Sequence, residues 1–323
     1  MSAASPKVAD VSVIMPVYNG AKTIQRALDS VFAQSVIPRE VIAIDDASTD
    51  ETRAILETYK SRGLITITAD HNRGAGAARN RGVAAARSGY LAFIDADDEW
   101  HSHKLERQFA TLNAEPAIQA SCSGYQLVAP NRSDTVSYHE MPLEIGVDEF
   151  AGGCSVSPGS TLIVSRACFD AVGPFDPTLR RYEDWDWLLR YAAKHRLRLE
   201  REILATIYDD RAGHGLTLLS LRALARKHRA AGTFSSASAR LKFESHLLLE
   251  RGAISHRTGR HLKAALWATA AVAVYPSRIA TIRTNVSRAL SSFGRRRRTQ
   301  ESEAFAAQNT GESAKLRSKI WAL

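Results

Sequence analysis

The chain has 323 residues, 45% of them hydrophobic and 24% charged; these proportions exclude wholesale disorder and allow one α/β domain of about 200–250 residues plus an appendage. Its net charge of +9 is unevenly spread, with 23 Lys+Arg against 29 Asp+Glu in residues 1–214 and 20 against 5 in residues 215–323. A basic segment of this kind suits an anionic partner, phospholipid headgroups or nucleic acid, although a solvated helical tail has the same composition.

The N-terminal MSAASPKVAD has no apolar stretch, so no secretory signal is expected. Cys122, Cys154 and Cys168 lack metal-ligand spacing and cannot all pair within one chain, which suits a reducing compartment and a cytoplasmic location. The first hundred residues alternate short β-rich runs with helical patterns, predicting βαβ units and a mostly parallel sheet. Strands are expected over 11–17, 41–44, 64–68 and 90–94, with helices between them. Ser48-Thr49-Asp50-Glu51 predicts a capping box for the second helix, Ser48 as cap and Glu51 three residues on. That leaves Asp45 and Asp46 at the carboxyl end of a strand. The third helix follows Gly74 and Gly76, and the fourth starts near Ser102. Ligands of open α/β sheets bind beyond the carboxyl ends of the strands, where three polar clusters fall: residues 16–19, 45–48 and 95–98.

From 119 to 165 the pattern is mixed, with β-rich stretches at 125–128 and 161–164. A helix is expected over 185–194, where Trp185, Leu188, Leu189 and Ala192 have the i, i+3, i+4, i+7 spacing of a buried face and Trp187 and Tyr191 lie elsewhere. Beyond 216 the chain is rich in Ala, Leu and Arg, with no glycine between Gly232 and Gly252. The expected organisation is a domain over 1–214, a basic helical region over 215–290 and a polar, disordered tail over 291–323. The apolar run 264–275, AALWATAAVAVY, falls short of the roughly 20 residues that span a bilayer. Arg257, Arg260, His261 and Lys263 before it and Arg278 and Arg283 after it suit an interfacial helix; a core helix of the appendage is the alternative.

FIDADDEW, residues 93–100, sets Asp95, Asp97 and Asp98 directly after an apolar strand. Adjacent like charges repel, so such a loop is either a solvated acidic turn or a site for a hard divalent cation, Mn²⁺ or Mg²⁺. Such an ion takes few protein carboxylates and completes its shell with water and phosphate oxygens. Gly74-Ala75-Gly76 follows a strand and opens a helix, as in a dinucleotide-binding fingerprint, but the third glycine of that fingerprint is replaced by Arg79, which excludes it.

VSVIMPVYNG, VIAIDDASTDET, HNRGAGAARNRG, GYLAFIDADDEW and RYEDWDWLLR, in this order, resemble the family-2 inverting glycosyltransferases of the GT-A fold, over about residues 9–200. The resemblance implies a mostly parallel sheet flanked by helices, with the helical C-terminal region as an appendage. It also implies transfer of a sugar from a nucleotide-diphosphate sugar, with UDP-hexose as the family expectation, to a saccharide or lipid-linked acceptor in cell-surface polysaccharide synthesis. Carried over residue by residue, it sets Pro16 in the donor site, Tyr18 against the nucleotide base, a structural tyrosine being the alternative, Asp46 on the base edge and Arg79 near the donor. Asp45 is left between the base and the turn. Asp95 meets the ribose or the metal, Asp97 is the first metal ligand, and Asp98 is a further candidate beside them. Asp184 matches the base that takes the acceptor's proton. Glu183 positions the acceptor or the metal shell, although two acids here also simply favour a helix N-terminus. Trp187 or Tyr191 is a candidate to stack on an acceptor sugar. The basic C-terminal region is expected to touch the inner face of the cell membrane peripherally. The alternative is a non-catalytic module that binds nucleotide sugars or nucleic acid. A nucleic-acid role would rest on the run at 295–298 and the basic helices, which lack interleaved aromatics or a known module, so no nucleic acid is expected.

Overall fold

The computed structural model describes residues 7–129, 132–136, 142–208 and 217–277. Strand β1 (Val8–Val17) is followed by α1 (Ile24–Phe32), β2 (Ile37–Asp45), α2 (Thr52–Thr58), β3 (Leu64–Thr68), α3 (Ala75–Ala85) and β4 (Tyr90–Phe93). All three ladders here are parallel, with Val17 opposite Asp45, Asp45 opposite Thr68 and Ile14 opposite Phe93. The carboxyl ends of β1, β2 and β4 therefore lie along one edge.

The chain continues through β5 (Glu99–Trp100), α4 (Lys104–Ala114), β6 (Ala120–Ala129), β7 (Arg132–Val136), β8 (Glu144–Ile145), α5 (Val147–Phe150), α6 (Pro158–Thr161), β9 (Ile163–Ser165), α7 (Arg166–Val172), α8 (Glu183–Ala192) and β10 (Leu197–Tyr208). Three helices close the described chain: α9 (Thr217–Ala230), α10 (Ala237–Arg257) and α11 (His261–Val274). The strand order is β3-β2-β1-β4-β9-β6-β10-β5, with β7 on β6 and β8 on β10. Strand β9 runs antiparallel to both β4 and β6, while β6 and β10 are parallel, so the long strands β1, β2, β6 and β10 share one direction.

Alternation in the strands feeds two cores, because helices cover both faces of the sheet. Val13, Met15, Val41 and Ala43 face α1 and α4, where Ala27, Leu28, Val31 and Leu105 are buried. Ile14, Ile42, Ile44 and Phe93 face the other way, into a cluster with Ala78 and Val83 of α3 and Trp185 and Leu188 of α8. The same cluster takes Leu221, Leu224 and Ala225 of α9 and Phe243 and Leu247 of α10. These two helices complete the core around α8. Helix α11 lies along α10 and buries Ala271 alone, leaving Leu262 at 86% and Leu266 at 70% exposure. Among the described residues no helix is long and apolar enough to cross a membrane.

Three local expectations are corrected. The capping box is absent: α2 starts at Thr52 behind Glu51 without a side-chain cap, because the Ser48 hydroxyl is taken by the Asn19 N–H (2.9 Å) in the neighbouring loop. Gly76 does not precede α3 but lies in its first turn, and Thr161 ends α6 ahead of β9. The expected tail at 291–323, with Arg278, Arg283 and the run at 295–298, lies outside the described residues.

Candidate active site

A cleft of about 1280 Å³ opens where β1, β2 and β4 end. Its first wall is two loops laced together. Asp46 N–H donates to the Val17 carbonyl (2.8 Å), Gly20 N–H to Thr52 Oγ1 (2.9 Å) and Thr49 N–H to Asn19 Oδ1 (2.8 Å). Pro16 and Tyr18 line this end, Tyr18 half exposed at its rim. The four non-glycine residues with positive φ among the described residues are Asn19, Ala47, Ser157 and Tyr182. Each lines the cleft or adjoins a residue that does, and such backbone strain concentrates where a surrounding structure holds a site in shape.

The two aspartates that end β2 separate cleanly. Asp46 lines the cleft and accepts the N–H groups of Arg73 (2.9 Å) and Gly74 (2.7 Å), so its carboxylate also holds the loop that opens α3. Gly74 turns there at φ +91, a region open to glycine at little cost. Asp45 is fully buried away from the cleft. Burial works to raise its pKa, but hydrogen bonds from Ser48 (2.8 Å) and Arg53 (2.6 Å) win and hold it below the usual value. Asp45 is thus corrected from the ligand site to the turn.

Beyond β4 the three acids also part. Asp95 and Asp97 line the cleft. Asp98 turns inward, accepting from the Ser160 hydroxyl and from Tyr208 N–H (2.9 Å), and burial followed by the charges of Asp95 and Asp97 pushes its carboxyl well above the ordinary range. It is corrected from candidate ligand to the framework of this loop. Arg79, its side chain 4% exposed, spans Asp95 (2.5 Å) and Glu183 (2.8 Å) and so joins the end of β4 to the start of α8. Among the described residues no group of three or more His, Cys, Asp or Glu is placed to hold a metal. The two carboxylates that this loop gives to the cleft, Asp95 and Asp97, suit a hard divalent ion that draws most of its shell from water and a diphosphate.

Glu183 and Asp184 enter the cleft because Tyr182 precedes α8 in the left-handed conformation, φ 66. Asp184 is partly exposed on the cleft wall and accepts from Trp185 N–H (2.7 Å). Burial, then the neighbouring Glu183 charge, raises its pKa from 3.8 to about 6, with Arg79 pulling the other way. Trp185 is buried as expected, its Nε1–H donating to the Phe150 carbonyl (3.0 Å). The expectation for Trp187 is corrected: it is 0% exposed, stacked between Phe169 and Tyr191 at 5.4 Å from each, so it offers no face to a sugar. Tyr191 is equally buried.

The sequence reading missed one wall. Lys242, His246 and Glu250 of α10 line the cleft together with Arg180, Tyr182 and the loop 152–155. Their i, i+4, i+8 spacing was a visible signal, since it puts three polar side chains on one helix face beside the core residues Phe243 and Leu247.

Residues 12–173 match the model of glycosyl transferase family 2. An uncharacterized glycosyltransferase of Rickettsia prowazekii is 29% identical over 202 residues, 60% of this chain and 62% of that protein. The Escherichia coli UDP-Glc:alpha-D-GlcNAc-diphosphoundecaprenol beta-1,3-glucosyltransferase WfgD is 28% identical over 179 residues, 55% of this chain and 68% of its own. The chain spans 56–62% of the length of several curated relatives that it matches. Residues 1–349 of TarS from S. aureus, solved in complex with UDP-GlcNAc, share the fold with a TM-score of 0.63, 21% identity and coverage of 81% of this chain and 79% of that one.

Proposed function

Because the chain belongs to glycosyl transferase family 2, we propose that it is a metal-dependent, inverting glycosyltransferase. It transfers a sugar, UDP-hexose being the expected donor, to a saccharide or lipid-linked acceptor in cell-surface polysaccharide synthesis. The observation that carries the reading is Asp184: a cleft carboxyl with its pKa raised to about 6 is matched to taking and releasing a proton near neutrality. UDP-GlcNAc in the TarS complex and the lipid-linked acceptor in the WfgD name support the choice of donor and acceptor class.

In this reading Pro16, Tyr18 and Asp46 form the nucleotide end of the cleft. The acceptor oxygen attacks the anomeric carbon from the side of Asp184, which takes the hydroxyl proton. The bond from that carbon to the diphosphate oxygen breaks, and its electron pair leaves with the nucleoside diphosphate. Asp97 with Asp95 would hold Mn²⁺ or Mg²⁺, which when bound supplies charge neutralisation for the diphosphate. Arg79 fixes Asp95 and Glu183 relative to one another and thereby sets donor and acceptor ends in register.

The same reading has the protein work at the cytoplasmic face of a membrane, touching it peripherally. Its support is the basic composition of residues 217–277, with 10 Lys+Arg against 2 Asp+Glu, and the exposed Leu262 and Leu266 on α11. A screen of nucleotide sugars with Mn²⁺ and Mg²⁺ tests the assignment. Divalent-dependent release of one nucleotide is expected, and no release from any donor would reject it.

A further inference from the structure

We infer that Glu250 of α10 is a positioning residue for the transfer: through the Tyr182 hydroxyl it holds the backbone turn that aims Asp184 into the cleft. The inference rests on the glycosyl-transfer reading of the cleft and adds how its base is kept in place. Tyr182 stands at φ 66, ψ 14 immediately before α8, a left-handed conformation that a bulky residue adopts only where its surroundings enforce it. Its carbonyl accepts the first bond of the helix, from Asp186 N–H (2.8 Å), so the turn at Tyr182 sets the direction in which Glu183 and Asp184 leave it. Glu183 has a distant anchor of its own, Arg79 (2.8 Å). The bond of Asp184 is local, from Trp185 N–H (2.7 Å), so its direction follows the backbone that delivers it.

The side chain of Tyr182 supplies the enforcement, and α10 supplies its partner. The Tyr182 hydroxyl donates to Glu250 Oε2 (2.7 Å), 68 residues along the chain. Burial, then the Glu250 charge, pushes that hydroxyl well above its ordinary range, so the proton stays on the tyrosine and the carboxylate accepts. A hydrogen bond to an ionised acceptor is the stronger kind. Glu250 itself stands on a fixed support. Phe243 and Leu247 of the same helix are buried in the core, and the Ser245 hydroxyl donates to the Ala271 carbonyl of α11 (2.7 Å). The first turn of α8 is keyed to this support a second time, because the Trp185 ring packs on Phe243 (5.6 Å) and edge-on against His246 (5.1 Å). The family match ends at residue 173, so this tie belongs to a part of the chain that the match does not reach.

The test follows UDP release from a panel of UDP-hexoses by the full chain, with water as the attacking hydroxyl, and UDP affinity by calorimetry. Tyr182→Phe keeps the ring on Trp185 and removes the tether; Glu250→Ala removes it from the other side. Each is expected to lower kcat about tenfold or more, the loss of one hydrogen bond to a charged group, with UDP affinity at the wild-type value. The double variant is expected to be no slower than the slower single variant, since both substitutions break the same bond. Glu250→Gln keeps an oxygen for the Tyr182 hydroxyl and is expected to retain kcat within about threefold of wild type. Losses that add in the double variant, Glu250→Gln as slow as Glu250→Ala, an unchanged kcat in both single variants, or UDP affinity falling in step with kcat overturns the positioning role. Absence of UDP release and of UDP binding in the wild type instead rejects the functional reading beneath it.

Discussion

A carboxyl can take a proton only when it has none, so the role proposed for Asp184, whose pKa is raised to about 6 by burial and by Glu183, predicts a loss of transfer on the acid side. As pH falls through this value the unprotonated fraction drops, so kcat/KM is expected to decline about tenfold per pH unit on the acid side. A profile flat from pH 8 to pH 5 would assign the base elsewhere. Asp97 carries a different expectation. Asp97→Asn keeps the side-chain size and removes the ligand charge, so divalent-stimulated turnover is expected to drop by about 100-fold or more. Full activity in the Asn variant, or of the wild type in EDTA, would free Asp97 from a metal role. The acids of this site show what spacing alone can and cannot convey. Asp45 and Asp46 are neighbours in sequence yet point into opposite environments, and so do Asp97 and Asp98. Which of two adjacent aspartates faces a cleft is decided by partners that their own spacing does not name, the nearby Ser48 and Arg53 for Asp45 and the distant Ser160 and Tyr208 for Asp98.

At the scale of elements, α8 is the part on which the site depends, and it is pinned from the C-terminal helices. Asp186, 0% exposed, accepts hydrogen bonds from Arg190 of its own helix (3.0 Å) and from Lys227 (3.0 Å) and His228 (3.1 Å) of α9. These bonds outweigh burial and hold its pKa below the ordinary carboxylate value. Removing one member of a buried ion pair strands the others, so Asp186→Ala is expected to cost on the order of 3 kcal/mol in chemical denaturation; a loss under about 0.5 kcal/mol would show that α9 is not tied to α8 in this way. The strands were the most legible elements. β3 was read at its observed bounds, and β1, β2 and β4 were placed within a few residues, because short β-rich runs punctuated by turn signals leave little choice of period. Helix α8 was legible on one face alone. Trp187 and Tyr191 lie off the Trp185 stripe, but α7 covers that side too through Phe169, and periodicity in one segment says nothing of a second covering layer. Ser48 was misread for a like reason: its hydroxyl serves Asn19, 29 residues away, rather than its own helix.

The whole molecule divides its charge, with a cleft rich in carboxylates in the N-terminal part and a basic helical region after it. The family match ends at residue 173, while Asp184 and the α10 wall of the cleft lie beyond it, so the helical region both completes the core and closes the site. Removing it would strip Leu221, Leu224 and Phe243 from the core, and a membrane role is therefore best tested on the full chain. Co-sedimentation with vesicles containing anionic lipid is expected at low salt, to fall as salt rises, and to weaken in the Leu262→Glu, Leu266→Glu double variant. Equal pelleting with neutral vesicles, or none with either, would contradict a peripheral electrostatic contact. The central claim, that Asp184 acts on the acceptor's proton and not on the donor, is tested most directly by measuring transfer rate and donor affinity together in Asp184→Asn. The expected result is a rate lowered at least about 100-fold with donor affinity by calorimetry nearly unchanged, because a general base acts in the transition state. Donor affinity falling in step with the rate would contradict it and make Asp184 part of the donor site.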